Sequence, residues 1–116
     1  MKSVFKEKNP IEKRKNESKT IVAKYPGRIP IIVEKYKDCQ LPDIDKMKYL
    51  VPNDMTISHF MFIIRKRIKL EPSQSLFITV NSVLPNSNDC VGEIYETNKD
   101  EDGFLYVVYT SENTFG

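Results

Sequence analysis

The sequence predicts an α+β fold in which one sheet of four strands is covered by a single long helix. Three observations carry this prediction. At 116 residues, 40% of them apolar, the chain has room for one modest core. Four short segments are rich in β-branched and aromatic residues, as strands are. Another segment repeats apolar residues along one face of a helix, at Ile57, Met61, Ile64 and Ile68.

Residues 1–25 are predicted to form a helical extension that lies on the outside of the domain. Asn9 is a typical helix cap and Pro10 a typical first helical residue. Residues 11–25 are mostly Lys, Arg and Glu, and a helix so polar does not belong in the centre of a core. Over residues 1–24, eight Lys or Arg stand against three Glu. Such a segment suits contact with anionic lipid, nucleic acid or an acidic protein surface, or it is a solvated helix face.

The core is predicted over residues 26–110, and its first two strands can form a loose hairpin. Residues 29–34 are rich in β-branched side chains. Pro30 cannot donate a ladder hydrogen bond, so this part of the strand is expected at an edge or a bulge. A polar loop leads to the second strand at residues 48–52.

The remaining elements follow from apolar spacing and turn residues. Thr56 caps the main helix, and Glu71-Pro72 stops it. The acidic cluster Asp100-Glu101-Asp102 lacks the spacing of a calcium-binding loop and is interpreted as a solvated turn. A third strand is predicted at 76–80, a short helix at 91–98 and a last strand at 104–109. This order is that of the ubiquitin-like β-grasp, a four-stranded mixed sheet with a central helix.

No constellation of catalytic or metal-binding residues stands out. The one histidine, His59, falls on the polar side of the main helix, and Cys39 and Cys90 lack the spacing of zinc or redox sites. These three residues could in principle form the Cys–His pair of a hydrolase, but the interpretation that they are ordinary side chains is much stronger. We expect a protein that is not an enzyme, binds no metal and occupies a reducing, intracellular compartment.

The second strand has features of a peptide-binding edge. If it lies at the edge of the sheet, its open backbone groups can pair with an extended peptide. One pocket would be lined by Pro30, Ile32, Leu50 and Phe104, and another by Val51, Met55, Phe60 and Ile63. Acidic ligand residues would be favoured by Arg28, Lys46, Lys48 and Arg67. The pattern alone favours a plain hydrophobic core for the apolar residues, with the groove as the alternative.

The chain ends on a polar tail, residues 111–116, whose last residue is Gly116. Glycine leaves its carboxylate unobstructed and tolerates backbone angles that other residues avoid. A flexible tail that ends in glycine therefore suits an enzyme that activates a chain terminus and joins it to an amine. A chain that merely stops at this residue is the other interpretation.

Several strings, spread over essentially the whole chain, are typical of a known family. They are Met1-Lys2-Ser3, Glu12-Lys13-Arg14, Arg28-Ile29-Pro30, Val33-Glu34-Lys35, Lys48-Tyr49-Leu50-Val51-Pro52, Ile64-Arg65-Lys66-Arg67-Ile68, Asp100-Glu101-Asp102-Gly103-Phe104-Leu105-Tyr106 and Glu112-Asn113-Thr114-Phe115-Gly116. Together they resemble the ubiquitin-like autophagy modifiers, in particular the GABA-receptor-associated-protein branch and its fungal and plant relatives.

The resemblance implies a β-grasp core with two N-terminal helices packed on it. It implies that the carboxyl group of Gly116 is conjugated to the amine of phosphatidylethanolamine, and that Phe115 helps enzymes grip the tail. A processing cysteine protease, a ubiquitin-activating-like enzyme and a conjugating enzyme would perform this chemistry, with no cofactor held by the chain. The expected locations are the cytoplasm, the autophagosome membrane, reached through the covalent lipid, and the lysosome or vacuole; nucleic acid is not an expected partner.

The resemblance also implies strand addition of aromatic-x-x-aliphatic motifs, carried by cargo receptors and adaptors, at the second strand. The aromatic pocket would comprise Glu17, Ile21, Pro30, Ile32, Lys48, Leu50 and Phe104. The aliphatic pocket would comprise Tyr49, Val51, Pro52, Met55, Phe60 and Ile63. Ligand carboxylates would pair with Arg28, Lys46 and Arg67. A second surface would lie at Leu76, Phe77 and Ile78.

Two positions depart from the family pattern within these surfaces. Met55 stands where leucine is usual, and its flexibility favours a shifted motif preference. Thr79 replaces a common aromatic or aliphatic residue and weakens the second surface. The alternative function is a soluble adaptor without lipidation, which binds motif peptides, or tubulin through the basic N-terminal helix, in vesicle trafficking.

Overall fold

The computed structural model describes residues 1–111, which fold into helices on both faces of one sheet. The elements in chain order are α1 Val4–Lys8, α2 Ile11–Lys24, β1 Arg28–Lys35, β2 Lys48–Pro52, α3 Ile57–Arg67, β3 Phe77–Thr79, α4 Val91–Asn98 and β4 Leu105–Thr110. The strand order is β2-β1-β4-β3. β1 pairs antiparallel with β2 and parallel with β4, and β3 pairs antiparallel with β4. The predicted ubiquitin-like fold with a four-stranded mixed sheet is confirmed.

Different helices cover the two faces of the sheet. Ile31 of β1 enters the main core together with Phe60 of α3. The next residue, Ile32, points to the opposite face and packs with Phe5 of α1 and with Phe104. This alternation, expected of a strand buried on both faces, places α3 on one side and α1 and α2 on the other.

Pro30 lies in a central strand, whereas the sequence favoured an edge or a bulge. In the β1–β2 ladder, the Val33 N–H donates to the Met47 carbonyl at 2.8 Å. Because antiparallel bonds alternate along a strand, the Pro30 nitrogen faces away from β2. Pairing with β4 begins only at Ile31, so the missing N–H removes no bond from either ladder.

The buried face of α2 is polar, and it is anchored on the turn before β4. Arg14 donates to the Asp102 carboxylate at 2.6 Å, and the Ser18 hydroxyl donates to the Asp102 carbonyl. The same carboxylate, in a residue 1% exposed, accepts the Phe104 N–H at 2.8 Å and the Tyr106 hydroxyl. The interpretation of this acidic cluster as a solvated turn was therefore wrong for Asp102. Three donors, one of them cationic, allow the carboxylate to leave water.

The start of α2 differs from the prediction by one residue. Pro10 is the N-cap residue and makes no side-chain cap hydrogen bond. Asn9 instead ends α1, where its amide donates to the Phe5 carbonyl at 2.9 Å. The residue pattern did not reveal the short helix α1, although the family resemblance implied two N-terminal helices.

The other elements lie where the sequence predicted them, but α3 ends at Arg67, before the predicted stop at Glu71-Pro72. Thr56 caps α3 as predicted, because its hydroxyl accepts the His59 backbone N–H at 3.1 Å. The strand predicted at 76–80 is shorter, since only Phe77–Thr79 pairs with β4. The short helix at 91–98 has the predicted bounds.

Candidate functional site

β2 is the outermost strand of the sheet, so one side of its backbone is open. Just after β2, the Asn53 N–H donates to the Gly27 carbonyl at 3.0 Å. This bond and the bond between Val33 and Met47 mark the two ends of the β1–β2 ladder and show which residue pairs are hydrogen-bonded. By the alternation of antiparallel bonds, Lys48 and Leu50 direct their N–H and C=O groups away from β1. These two residues are placed to pair with an added strand.

The side chains of β2 lie on opposite faces of the sheet. Tyr49 and Val51 are buried in the core under α3, whereas Lys48 reaches Glu17 of α2. Two residues three apart on an extended peptide also point to opposite faces. An aromatic-x-x-aliphatic peptide added to β2 can therefore place its aromatic residue toward α2 and its aliphatic residue toward α3.

On the α2 side, Lys48 lies across the predicted aromatic pocket. Its Nζ is 2.8 Å from both carboxylate oxygens of Glu17 and 5.4 Å from the centre of the Phe5 ring. Half-buried walls are provided by Leu50 and Ile21. The remaining predicted members form a buried floor: Pro30, Ile32 and Phe104. Ile32 and Phe104 of this floor pack with Phe5, and the Lys48 ammonium lies over the Phe5 ring.

Phe5 is the residue of this pocket that sequence reasoning missed. It is 4% exposed, and its ring meets the Phe104 ring edge-on with centroids 5.5 Å apart. Its backbone N–H donates to the buried carboxylate of Glu34 at 3.0 Å. Helix α1 is only five residues long, too short to show an apolar period. The available signal was Ser3, a cap residue whose hydroxyl accepts the Lys6 N–H.

On the α3 side, the predicted aliphatic pocket divides into a buried base and an accessible wall. The base consists of core residues that are 8%, 6% and 0% exposed, namely Tyr49, Val51 and Phe60. The Tyr49 and Phe60 rings meet edge-on with centroids 5.8 Å apart. The accessible wall consists of Pro52, Met55 and Ile63.

Cations rim the site. Arg28 and Lys46 are exposed and form no ion pair with any of residues 1–111. The Lys46 Nζ lies 5.1 Å from the centre of the Tyr49 ring. Arg67, in contrast, donates from Nε to the Asp45 carboxylate at 2.8 Å. Such exposed pairs contribute only about 0–1 kcal/mol, so a ligand carboxylate can exchange with Asp45.

The hydroxyl of Tyr49 is buried at this side of the site. It has no hydrogen-bond partner in the part of the chain that the structure describes. Burial raises the pKa of Tyr49 above its ordinary value; the charge of Arg67 acts in the opposite direction and that of Asp45 in the same direction. The group is therefore a protonated donor at neutral pH.

Comparison with known proteins identifies the family. The profile described as "Autophagy protein Atg8 ubiquitin like" matches residues 13–116. The chain belongs to the Atg8 family. It is 54% identical to autophagy-related protein 8e of Arabidopsis thaliana over 114 residues, 98% of this chain and 93% of the relative. It is 54% identical to autophagy-related protein 8 of Mycosarcoma maydis over 116 residues, 100% and 98% of the two chains. The crystal structure of Trypanosoma brucei ATG8 matches with a TM-score of 0.92 and 37% identity over 100% of both chains.

Atg8 proteins are ubiquitin-like modifiers and not enzymes, as the sequence predicted for this chain. His59 is exposed, Cys39 is buried and Cys90 is half-buried. Within residues 1–111, no hydrogen bond joins His59 to either thiol, and no three or more His, Cys, Asp or Glu residues cluster as a metal site would need. None of the described helices has the length and apolar character to cross a bilayer.

The second surface predicted for this Atg8 protein is narrower than the sequence suggested. Leu76 and Ile78 are 5% and 2% exposed and belong to the core. Phe77 is half-buried at the start of β3, the other edge strand of the sheet. The accessible part of the predicted second surface therefore consists of Phe77 and the open backbone edge of the three-residue strand β3.

Two predicted residues of the conjugation tail, Phe115 and Gly116, lie outside the described residues. The described chain ends where Ser111 leaves β4. Its hydroxyl accepts a contact from the Cys39 thiol at 3.8 Å, and the Tyr109 hydroxyl donates to the Pro42 carbonyl at 2.8 Å. The loop after β1 therefore packs beside the point where β4 ends.

Proposed function

We propose that this Atg8 protein, of the GABA-receptor-associated-protein-like branch, is conjugated through Gly116 to phosphatidylethanolamine and docks aromatic-x-x-aliphatic motifs at β2. The observation that carries the docking proposal is the open backbone of Lys48 and Leu50 between two pockets on opposite faces of the sheet. The lipid holds the protein on the forming autophagosome, and the groove tethers cargo receptors and adaptors there. The protein moves from the cytoplasm to this membrane and then to the lysosome or vacuole.

Partner enzymes carry out the conjugation. A cysteine protease exposes the glycine and later releases the lipid. The activating enzyme adenylates the Gly116 carboxylate with ATP, releasing pyrophosphate, and its thiol then displaces AMP to form a thioester. The thioester passes to the conjugating enzyme, where the lipid amine attacks it, forms an amide and releases the thiol. These enzymes bind the tail in part through the Phe115 side chain. One phospholipid brings two acyl chains, and each buried CH₂ adds about 0.8 kcal/mol, which suffices for stable anchoring.

Reconstitution tests the conjugation. The protein is incubated with activating and conjugating enzymes, ATP and phosphatidylethanolamine liposomes, and the terminal peptide is examined by mass spectrometry. We expect the lipid mass on Gly116 and none on Gly116→Ala, with Asn113→Ala as a control that keeps the terminal glycine. Normal lipidation of Gly116→Ala would refute this part of the proposal.

Titration calorimetry tests the docking. A motif peptide is expected to lose at least about 2 kcal/mol of binding free energy when its aromatic residue is replaced by alanine, as for central pocket residues. On the protein, Leu50→Ala is a cleaner probe than Tyr49→Ala, because Leu50 is half-buried whereas Tyr49 belongs to the core. Equal affinity for the intact and alanine peptides would remove the groove from the proposal.

The alternative is a soluble adaptor that acts without lipid and contacts tubulin through α2. Its support is the number of exposed lysines on that helix, Lys13, Lys15, Lys19 and Lys24. Co-sedimentation with microtubules, compared with partition to membranes in the presence and absence of ATP, separates the two functions. Membrane association that depends on both ATP and Gly116 favours the modifier.

A further inference from the structure

A cavity of about 440 Å³ is lined by residues of α1 and the segment before it, of β1 and of β4. Its walls include the apolar side chains of Met1 and Val108 and the ring of Tyr106, and Lys2 and Glu7 also line it. The cavity shares no residue with the predicted pockets at β2. Its volume falls in the range of small-molecule sites, so its chemistry can be considered by itself.

The buried carboxylate of Glu34 lines this cavity without a counter-charge. Glu34 is 7% exposed, and its Oε2 accepts one hydrogen bond, from the Phe5 backbone N–H at 3.0 Å. Within residues 1–111 it forms no ion pair and no second hydrogen bond. Its Oε1 still reaches solvent, because in this part of the chain only the Tyr49 hydroxyl is both fully buried and unbonded. Since buried charges in proteins are paired, Oε1 points to a cation that another molecule supplies.

The attachment of α1 does not explain why this residue is charged. The Phe5 N–H is one of the first-turn donors that a helix leaves free, and an amide oxygen would accept it as a carboxylate oxygen does. Of the two lysines that line the cavity, Lys6 already pairs with Asp100. Lys2 is exposed and forms no ion pair with any described residue. The cavity therefore offers one free acid and one free base.

We propose that this cavity binds a small zwitterion with a primary ammonium group, an anionic group and an apolar body. The ammonium donates to Oε1 of Glu34, and the anionic group pairs with Lys2; hydrogen bonds between charged groups are the stronger ones. The apolar body packs on Val108. Apolar amino acids and aminoalkyl phosphates share this chemistry. The inference goes beyond lipid conjugation and peptide docking and depends on neither.

Nuclear magnetic resonance gives a local readout, because the Phe5 N–H bonds Glu34 and its resonance reports on that carboxylate. The protein is titrated with leucine, with isocaproate, which lacks the ammonium, and with isoamylamine, which lacks the carboxylate. O-phosphoethanolamine, with ethyl phosphate and ethanolamine as its controls, tests a phosphate as the anion. We expect a saturable shift of the Phe5 amide with at least one zwitterion, and at least about tenfold weaker binding of its two single-charge controls.

Three variants test the assigned residues. Glu34→Gln keeps an acceptor for the Phe5 N–H, so it should stay folded and bind the zwitterion at least about tenfold more weakly. Val108→Phe places a ring in the cavity and should abolish binding. Glu7→Gln removes the exposed acid of the same cavity, and as the matched control it should change the affinity less than about twofold. Circular dichroism checks that each variant is folded.

The outcomes separate this inference from the proposed function. If neither zwitterion shifts the Phe5 amide at millimolar concentration, or if Glu34→Gln and Glu7→Gln bind alike, the inference is wrong. Equal affinities for a zwitterion and for its amine control would show that the cavity takes a plain amine, and would overturn the assignment of Lys2. Conjugation at Gly116 and docking at β2 are measured by other experiments and stand or fall without this result.

Discussion

The Lys48 ammonium bonds both carboxylate oxygens of Glu17 at 2.8 Å, so α2 holds a side chain of the edge strand across the predicted aromatic pocket. The other face repeats this arrangement with Arg67 and Asp45. On each face, a cation of the groove is therefore held by a carboxylate of the same chain. On the proposed docking function, an acidic ligand would have to exchange these ion pairs, and its net gain would depend on how weak the internal pairs are.

Glu17→Gln is expected to raise the affinity for acidic motif peptides severalfold, because Lys48 no longer has to leave a carboxylate. The Lys48 and Glu17 side chains are 54% and 27% exposed, so water screens the pair and the free energy of unfolding should change by less than about 1 kcal/mol. Calorimetry measures the affinity and urea unfolding the stability. Glu12→Gln, an exposed change on the same helix, controls for net charge. Weaker peptide binding by Glu17→Gln than by Glu12→Gln would contradict this expectation.

Asp102→Ala is expected to destabilise the fold by about 3–5 kcal/mol, because it leaves the buried Arg14 guanidinium without its counter-charge. It also removes the acceptor of the Phe104 N–H. The neighbouring Glu101 is exposed, so Glu101→Ala should stay within about 0.5 kcal/mol of wild type. Urea unfolding compares the two variants. Similar values for both would show that the network around Asp102 adds little to stability.

Acid is expected to weaken the ion pair that joins Lys6 of α1 to Asp100. Burial raises the pKa of this carboxyl, but hydrogen bonds from Lys6 and the Asp102 N–H, with the charges of Lys6 and Arg14, outweigh it and leave the pKa below its ordinary value. Such a group stabilises the folded state above its unfolded pKa of about 4, and the contribution is lost as pH falls further. We expect Asp100→Asn to flatten the loss of unfolding free energy below about pH 4, and the exposed Asp38→Asn to change it less. Identical slopes would count against the prediction.

The sheet and α3 could be predicted because their signals are local. Ile57 and Ile64 of α3 and Ile68 at its C-cap repeat at the helical period, and all three are buried. The contact between Arg14 and Asp102 spans 88 residues of sequence, so no local pattern indicates that these two charges are buried together. A basic helix and an acidic turn each look solvated until the fold brings them together.

The same limit applies to the site. The residue types offered β2 as an edge strand only as a condition, and the family resemblance, not the pattern, named the side chains around it; neither showed which of them a ligand can touch. Ile32 and Leu50 are both aliphatic strand residues, yet Ile32 is fully covered and Leu50 is half-buried. The difference comes from α1, whose Phe5 packs with Ile32 in the small core cluster on that face of the sheet. The unpartnered Tyr49 hydroxyl depends on side-chain packing and has no counterpart in the sequence pattern.

Leu50→Pro tests whether the open backbone of β2 itself binds the peptide. The N–H of residue 50 faces outward, so proline removes a donor from the open edge and no ladder bond to β1. We expect peptide affinity about tenfold below that of Leu50→Ala, which removes the same side chain but keeps the N–H. Val51→Pro, whose N–H faces β1, should instead unfold the edge. Equal affinities of Leu50→Pro and Leu50→Ala in calorimetry would mean that the side-chain pockets, and not strand pairing, hold the ligand.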